Sequence, residues 1–346
     1  MPRPILLGIA GDSAAGKTTL TRGLVRILGE TQVTHVCADH YHRYDRSQRA
    51  ERRVTPLHPD CNYLDVLQQD LGHLRAGRSI FKPVYRHQEG TFAPGEYVSP
   101  ATFAIVEGLL AFHTPAMRDL YDVRVYVDPP EDLRRRWKVQ RDCSRRGYTT
   151  DQVLEELDRR EADAEAYVRP QRRHADLVIS FMPDDRGDPE HLDAKVTMRP
   201  GLVHPDLSAL ADRDEEGGTG RSAAPDGGAL VSRSAAPHGG ALVSRSAPDG
   251  GALVLERGAE TVLWVPGGIG PKESAAIEET IWEGMHFASH LRTERLGEFT
   301  VGTRLHRSES LAITQLLVLY QLVTARAAVA IGAIDARTDR NPAAIS

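Results

Sequence analysis

A glycine-rich stretch near the start of the chain limits its fold more than any other feature. Residues 11–19 read Gly-Asp-Ser-Ala-Ala-Gly-Lys-Thr-Thr and match the pattern G-x-x-x-x-G-K-[ST] without a gap. The apolar run 5–10 precedes them, and leucines then recur at helical spacing up to Gly29. A buried strand, a glycine loop and a helix in this order predict a cradle for nucleotide phosphates.

This loop predicts a role for each kind of residue in it. Backbone N–H groups and the helix N-terminus face the phosphates, Lys17 reaches the outer phosphates, and the Thr18 hydroxyl holds Mg²⁺. A chance match in an unrelated loop is the alternative, and the flanking strand and helix argue against it. We therefore expect ATP to contact the whole loop: Gly11, Asp12, Ser13, Ala14, Ala15, Gly16, Lys17, Thr18 and Thr19.

Composition excludes several classes of protein. Forty-three Lys+Arg against 48 Asp+Glu give a formal charge of −5, which argues against a nucleic-acid binder that depends on bulk positive charge. No apolar run approaches the length needed to cross a bilayer, and no leader precedes the first strand. Three scattered cysteines are too few for a disulfide framework or a zinc knuckle. We expect a cytoplasmic protein with no nucleic-acid or membrane partner.

Charged and polar residues follow the second predicted strand, which spans residues 33–38. The stretch after it holds Asp39, His42 and Arg46. In open α/β sheets, ligands bind beyond the carboxyl ends of the strands, so these residues are candidates for substrate contact. A solvated polar loop is the alternative. Because this stretch follows the phosphate loop by one strand–helix unit, we favour a role in substrate binding or catalysis over a solvated loop.

Two further segments carry candidate residues. Residues 82–90, bracketed by Pro83 and Gly90, are predicted to form an ordered loop that presents Tyr85 and His87. A third buried strand, at 103–106, ends in Glu107. An acid at the end of such a strand is placed to hold Mg²⁺ or its bound water.

Residues 131–146 are predicted to form a helix rich in arginine. Lys138, Arg141 and Arg145 fall on one face of it. A solvated helix face is the usual fate of a run of charges. Phosphoryl transfer, however, needs mobile positive charge over the transferred group, so we interpret this helix as a lid.

Several motifs together resemble one family. The chain resembles the phosphoribulokinases, within the uridine kinase–phosphoribulokinase group of phosphate-loop kinases. The resemblance covers residues 4 to about 182 and rests on these segments: the loop 11–19, Asp39-x-Tyr41-His42-x-x-Asp45-Arg46, Lys82-Pro83-Val84-Tyr85-x-His87-x-x-Gly90, Val106-Glu107-Gly108, Trp137-Lys138-Val139-Gln140-Arg141-Asp142, Arg146-Gly147, Pro170-Gln171 and Ala175-Asp176.

This resemblance implies an enzyme that uses ATP and Mg²⁺ to phosphorylate the C1 hydroxyl of D-ribulose 5-phosphate. It implies that Asp39 is the base and that Lys17 and Arg141 act on the transferred phosphoryl group. Thr18 and Glu107 would hold Mg²⁺. The residues implied to hold the sugar phosphate are His42, Arg46, Tyr85, His87, Lys138, Arg141 and Arg146. A role for Asp142 is left open, between orienting Arg141 and helping with metal.

The chain departs from the chloroplast type of this family at two points. Ala15 stands where that type has a regulatory cysteine, although the partner cysteine is present as Cys37. His40 follows Asp39 where that type has a second aspartate. Three alternatives also stay open: a uridine or other nucleoside kinase, a kinase of a different sugar or polyol phosphate, and a regulatory protein that uses ATP as a switch.

The predicted organisation is an α/β/α three-layer sandwich with a smaller C-terminal α+β extension. Residues 1–182 form the kinase core, and 183–216 with 258–334 form the extension. Between them, 217–257 repeat a unit of about twelve residues rich in Pro and Gly, which predicts a low-complexity, disordered insert. The apolar run 311–323 predicts a buried helix or an oligomer contact, and the expected oligomer is a homodimer.

Overall fold

The computed structural model describes residues 2–183, 191–207, 253–257, 260–301 and 304–332. The strands in these ranges are β1 Ile5–Ala10, β2 Val33–Cys37, β3 Ile80–Arg86, β4 Thr91–Val98, β5 Phe103–Gly108, β6 Val123–Val127, β7 Leu177–Pro183, β8 Leu192–Met198, β9 Leu253–Arg257, β10 Glu260–Val265, β11 Glu298–Val301 and β12 Arg304–Arg307. The helices are α1 Lys17–Leu28, α2 Arg46–Arg52, α3 Leu64–Arg75, α4 Pro115–Leu120, α5 Glu131–Arg146, α6 Thr150–Asp163, α7 Pro271–Glu283 and α8 Glu309–Ala330.

An eight-stranded sheet organises the fold, in the order β2-β5-β1-β6-β7-β8-β10-β9. The first five of these strands are parallel, and the last three join antiparallel. Because parallel strands share one carboxyl edge, the segments after β1, β2, β5 and β6 meet at the same edge. That edge is where the sequence predicts the site.

Helices cover both faces of this sheet. Because successive side chains of a strand point to opposite sides, one strand contributes to the apolar clusters on both faces. Leu7 belongs to an apolar cluster that includes Leu24 of α1 and Leu316 of α8. Leu6, its neighbour, belongs to the opposite cluster with Leu71 of α3. The predicted α/β/α sandwich is confirmed.

The C-terminal extension continues the sheet of the core. Strand β8 pairs with β7, and β10 pairs with β8. Strand β9 pairs with β10 from Leu253 to Arg257. The prediction of a disordered insert over 217–257 is therefore wrong for its last five residues. Its run Leu-Val-Leu suits a strand added at a free edge. Residues 217–252 of the insert lie outside the described residues, and the division into core and extension stays a prediction.

Helix α8 is the buried helix that the apolar run predicted. Every residue from 310 to 323 is buried, against α1, α7 and the sheet. Within the described ranges, it is the one helix long and apolar enough to cross a membrane by length and composition. The expectation that no apolar run approaches that length is therefore wrong, but 67% of the apolar window is buried inside the protein, as in a core helix.

Residues 82–90 are not the loop that the sequence predicted. Strands β3 and β4 form an antiparallel hairpin, and residues 87–90 are its turn. Pro83 lies where the pairing shifts register between Lys82 and Val84. Proline is tolerated at such a bulge because no ladder hydrogen bond needs its missing N–H. Pro83, which led to the prediction of a loop, lies at this bulge within a strand.

We predict that the insert and strand β9 differ in their effect on stability. Replacing residues 217–252 with a short Gly/Ser linker should leave the Tm near the wild-type value, since loop length changes closure entropy only slowly. Extending the deletion through Leu253–Arg257 removes an edge strand and should lower the Tm by several degrees. Thermal unfolding followed by circular dichroism measures both. A lower Tm for the shorter deletion would contradict the prediction that the insert is disordered.

Candidate active site

The phosphate loop joins β1 to α1 with the geometry that its glycines allow. Gly11 has a φ of 150°, and a Cβ atom there would lie 2.5 Å from the carbonyl oxygen of Val127. Only glycine lets the loop pass this close to β6. The Lys17 ammonium donates to the carbonyl oxygens of Gly11 and Asp12, at 2.9 and 2.8 Å. These two hydrogen bonds hold the Lys17 side chain against the backbone of the phosphate loop.

A hydroxyl and a carboxylate suitable for Mg²⁺ adjoin the loop. The Thr18 Oγ1 donates to Glu107, at 3.0 Å from Oε2 and 3.3 Å from Oε1. Both are the hard oxygen ligands that Mg²⁺ takes, and Mg²⁺ usually keeps several waters and substrate phosphates as its other ligands. Within the described part of the chain, no three acidic, His or Cys residues converge as a metal cage. The pair Thr18 and Glu107 fits a Mg²⁺ that arrives with ATP.

Asp39 lies in a short turn that follows β2, at the predicted edge. Its Oδ1 accepts a hydrogen bond of 2.8 Å from the backbone N–H of Leu109, which fixes the carboxylate. Gly108 makes this approach possible, because a Cβ there would lie 2.9 Å from Asp39 Oδ1 and 2.7 Å from the Ala38 Cβ. The end of β5 therefore supplies Glu107, the predicted Mg²⁺ ligand, and Gly108, which leaves room for the candidate base Asp39.

His42, Tyr85 and His87 come together as predicted. The ring centroids of His42 and Tyr85 are 4.8 Å apart, and those of Tyr85 and His87 are 5.1 Å apart, in edge-to-face contacts. The Nδ1 of His42 is 2.8 Å from Asn62 Oδ1. Asn62 therefore adds a hydrogen-bond partner that the sequence did not indicate. The arrangement forms a polar, aromatic wall beside Asp39.

The two imidazoles of this wall are uncharged at neutral pH. Burial lowers the pKa of His42 to about 4, against the opposing pull of the Asp39 carboxylate. Burial also lowers the pKa of His87 to about 4, again opposed by Asp39 and assisted by Arg146. Asp39 and the arginines of helix α5 therefore both act electrostatically on His87. Any positive charge for a phosphate here must come from arginine or lysine.

Arg46 and Arg49 lie about one turn apart on α2 and differ in exposure. Arg46 is exposed and donates to the backbone carbonyl oxygens of His87 and Gln88. Arg49, one turn later, is buried and donates to the Tyr85 hydroxyl at 2.6 Å. Arg46 as a phosphate ligand stays a prediction, since its contacts here hold the hairpin turn. Arg49 was not predicted as a site residue, because its contact with Tyr85 joins segments that are 36 residues apart.

Three cations of helix α5 gather around one carboxylate, that of Asp142. Lys138 Nζ lies 2.5 Å from Asp142 Oδ2, and Arg141 Nε lies 2.8 Å from Oδ1. Arg146 adds a third contact at 3.4 Å. Burial favours a raised pKa for Asp142, but the bonds and charges of Arg141 and Lys138 lower it to about 2. Asp142 is therefore ionised and orients the lid cations.

The pKa of the Lys138 ammonium lies close to neutral pH. Its side chain is 2% exposed, and burial lowers its pKa to about 8 although the Asp142 hydrogen bond opposes the change. Near pH 7 the ammonium is therefore charged, and it loses its proton as the pH rises through about 8.

Basic residues also tie the lid to the phosphate loop. Arg141 donates to the Ser13 hydroxyl at 3.3 Å, and Arg134 donates to the Ser13 carbonyl at 3.1 Å. Arg169 donates to Asp12 at 3.2 Å. Arg134 and Arg169 were not predicted as site residues, because neither belongs to a local motif. The contacts of Arg134 and Arg141 hold helix α5 against the phosphate loop, and Arg169 contacts the loop from outside that helix.

A cavity of about 360 Å³ opens beside the loop, between the ends of β6 and β7. Its lining includes Asp12, Arg134, Arg169, Asp128 and Ser180. It adjoins the first residues of the phosphate loop, so it can take the part of a nucleotide that lies beyond the phosphates. No motif in the sequence predicted this cavity.

Cys37 ends β2 next to the site, and its environment makes it unreactive. Burial, with the charges of Asp39 and Glu107, raises the pKa of this thiol, so the reactive thiolate is scarce. Ala15 removes the partner found in the chloroplast type. We predict that activity does not depend on reversible reduction by a dithiol. Reversible, several-fold activation by dithiothreitol after mild oxidation would contradict this.

The parallel sheet, the phosphate loop and the second polar site beside it define a phosphate-loop protein of the α/β/α class. A sequence model described as the Phosphoribulokinase / Uridine kinase family matches residues 6–186. The chain belongs to this family, and the resemblance predicted from its motifs is confirmed.

Individual relatives show how far the likeness extends. A phosphoribulokinase of Synechocystis sp. is 39% identical over 183 residues, which cover 53% of this chain and 55% of that protein. A uridine kinase of Oceanobacillus iheyensis is 32% identical over 181 residues, which cover 51% of this chain and 86% of that protein. The matched region thus spans about half the length of the phosphoribulokinase.

A solved structure resembles more of the chain. The phosphoribulokinase from Rhodobacter spheroides matches with a TM-score of 0.54 over 84% of this chain and 98% of that chain. At 17% identity, the match concerns the fold alone. At 84% of this chain, the match extends beyond the share that the two sequence relatives cover.

Proposed function

We propose that this protein is a kinase that transfers the γ-phosphoryl group of ATP to the C1 hydroxyl of D-ribulose 5-phosphate, giving ribulose 1,5-bisphosphate. One observation carries the proposal: a second site, separate from the phosphate loop, combines a fixed carboxylate with a polar wall and cations. Asp39 supplies the carboxylate, His42, Tyr85 and His87 the wall, and the lid the cations. A sugar phosphate needs all three.

The chain's own residues support each part of the transfer. Asp39 accepts the proton of the C1 hydroxyl, the C1 oxygen bonds to the γ-phosphorus, and the bond from phosphorus to the β–γ bridging oxygen breaks to release ADP. Lys17 and Arg141 neutralise charge on the transferred group. Phosphoryl transfer asks mainly for positioning and electrostatic stabilisation, and the lid contacts with Ser13 supply the positioning.

ATP and Mg²⁺ are the cofactors that this proposal requires. Thr18 and Glu107 would hold the cation, which neutralises phosphate charge when bound. The loop 11–19 would hold the phosphates, and the cavity beside Asp12 the nucleoside. A homodimer in the cytoplasm completes the proposal, by analogy with the family.

The first test is a comparison of acceptors. With Mg-ATP, we expect ribulose 5-phosphate to be phosphorylated much faster than uridine or cytidine, because a nucleoside leaves the lid cations and the wall without a phosphate. An ADP-release assay run in parallel on the three acceptors, and on other pentose phosphates, measures this. Faster turnover of either nucleoside would replace the proposal with a nucleoside kinase, and faster turnover of another pentose phosphate would change the substrate.

Arginines of α2 offer a second test of the sugar-phosphate site. Arg46→Ala should raise the KM for ribulose 5-phosphate about tenfold, the effect of one hydrogen bond to a charged group, and leave the KM for ATP almost unchanged. Arg49→Ala, which removes a buried partner of Tyr85, provides the comparison. If only Arg49→Ala raises the KM, the phosphate site is built on Arg49 and not on Arg46.

A further inference from the structure

His35, on strand β2, contacts Glu107, the predicted Mg²⁺ ligand at the end of the neighbouring strand β5. Its Nε2 lies 3.1 Å from Glu107 Oε1. Strand β2 pairs with β5 so that Cys37 faces Glu107, and alternation places His35 on the same face of the sheet as Cys37. The motifs of the phosphate-binding segments do not include His35. A contact made across 72 residues of sequence leaves no local pattern.

Glu107 is held from two directions. Thr18 donates to its Oε2 at 3.0 Å, and His35 is at hydrogen-bond distance from its Oε1. The Glu107 side chain is 6% exposed, whereas His35 is 43% exposed. The carboxylate has only acceptor oxygens, so the His35 nitrogen that faces it carries the proton. The other ring nitrogen is left for solvent on this half-exposed side chain.

We propose that His35 is a positioning residue for the divalent cation that accompanies ATP. Its N–H fixes the rotation of the Glu107 carboxylate, so that Glu107 keeps one oxygen toward Thr18 and the cation. Residues that orient metal ligands in this way typically contribute about 10–100-fold to metal affinity. The inference rests on the proposed use of Mg²⁺ with a nucleotide, and it does not depend on which acceptor is phosphorylated.

Cation binding without turnover tests the proposal. Mn²⁺ serves as the probe, and electron paramagnetic resonance measures its affinity for the full-length protein in the presence of ADP. His35→Leu removes the N–H donor and should weaken Mn²⁺ binding by about tenfold or more. His35→Gln keeps an N–H near the position of Nε2 and should bind Mn²⁺ within about threefold of wild type, a value below the range for a lost orienting residue.

Two controls separate this role from a structural one. His73→Leu changes an exposed histidine on α3 and should leave Mn²⁺ affinity unchanged. ADP binding in EDTA, measured by calorimetry, should be equal in wild type and His35→Leu, because His35 acts through the cation ligand.

Several results would overturn the proposal. They are equal Mn²⁺ affinity in wild type and His35→Leu, an equal loss in the Gln and Leu variants, and a loss of ADP binding without metal. Wild-type protein that binds no Mn²⁺ with ADP would overturn it as well. Wild type that binds Mn²⁺ and ADP but does not phosphorylate ribulose 5-phosphate would instead contradict the proposed function and leave the His35 inference intact.

Discussion

Replacing Asp39 with asparagine should lower kcat by about 10²–10⁴-fold, the usual contribution of a general base. The substitution preserves shape, and the asparagine oxygen can still accept the N–H of Leu109 that fixes the side chain in the wild type. Only the ability to take the proton of the attacking hydroxyl is lost. Steady-state kinetics with ribulose 5-phosphate measure kcat. ATP affinity should be nearly unchanged, because the hydrogen bond that fixes the Asp39 side chain comes from Leu109 and not from the phosphate loop.

Asp45→Asn is the matched control for that experiment. Asp45 is six residues away and caps α2 by accepting the backbone N–H of Gln48. Asparagine caps a helix about as well as aspartate, so this variant should keep wild-type kcat. If Asp39→Asn also keeps wild-type kcat, Asp39 is not the base. Asp142 would be a poor substitute, because the lid cations already occupy its carboxylate.

The sequence predicted those parts of the structure whose pattern is local. Helix α5 begins and ends where the sequence predicted it, at Glu131 and Arg146. An arginine-rich helical stretch that is followed by Gly147 carries this signal within a few turns. The phosphate loop, with its fixed spacing, is the same kind of signal.

The residues that the sequence did not predict depend on contacts between distant segments. Arg49 reaches Tyr85 and Arg169 reaches Asp12 across long stretches of chain. His35 reads as an ordinary strand residue until β5 places Glu107 beside it. The hairpin of β3 and β4 was missed because Pro83 normally argues against a strand, and only the pairing partner reveals the bulge.

Asp142→Asn should lower kcat/KM for ribulose 5-phosphate by at least about tenfold. A hydrogen bond to a charged group contributes about 1.5–3 kcal/mol, and a tenfold change corresponds to about 1.4 kcal/mol. The loss falls on Lys138, which would stay buried without its carboxylate, and on Arg141, which would lose the anchor that directs it toward Ser13. ATP binding in the loop should change much less.

The pH profile of the same variant distinguishes lid assembly from general damage to the fold. In wild type, kcat/KM should fall as pH rises through about 8, where Lys138 loses its proton. The Asp142 carboxylate raises the pKa of Lys138 against the effect of burial, so Asp142→Asn should move this alkaline limb to lower pH. Asp158→Asn, which breaks only an exposed pair with Arg135, should change neither the rate nor the profile, since such pairs contribute about 0.2–1 kcal/mol. An Asp142 variant with a lower rate but an unmoved alkaline limb would show that Lys138 does not carry the charge that closes over the substrate.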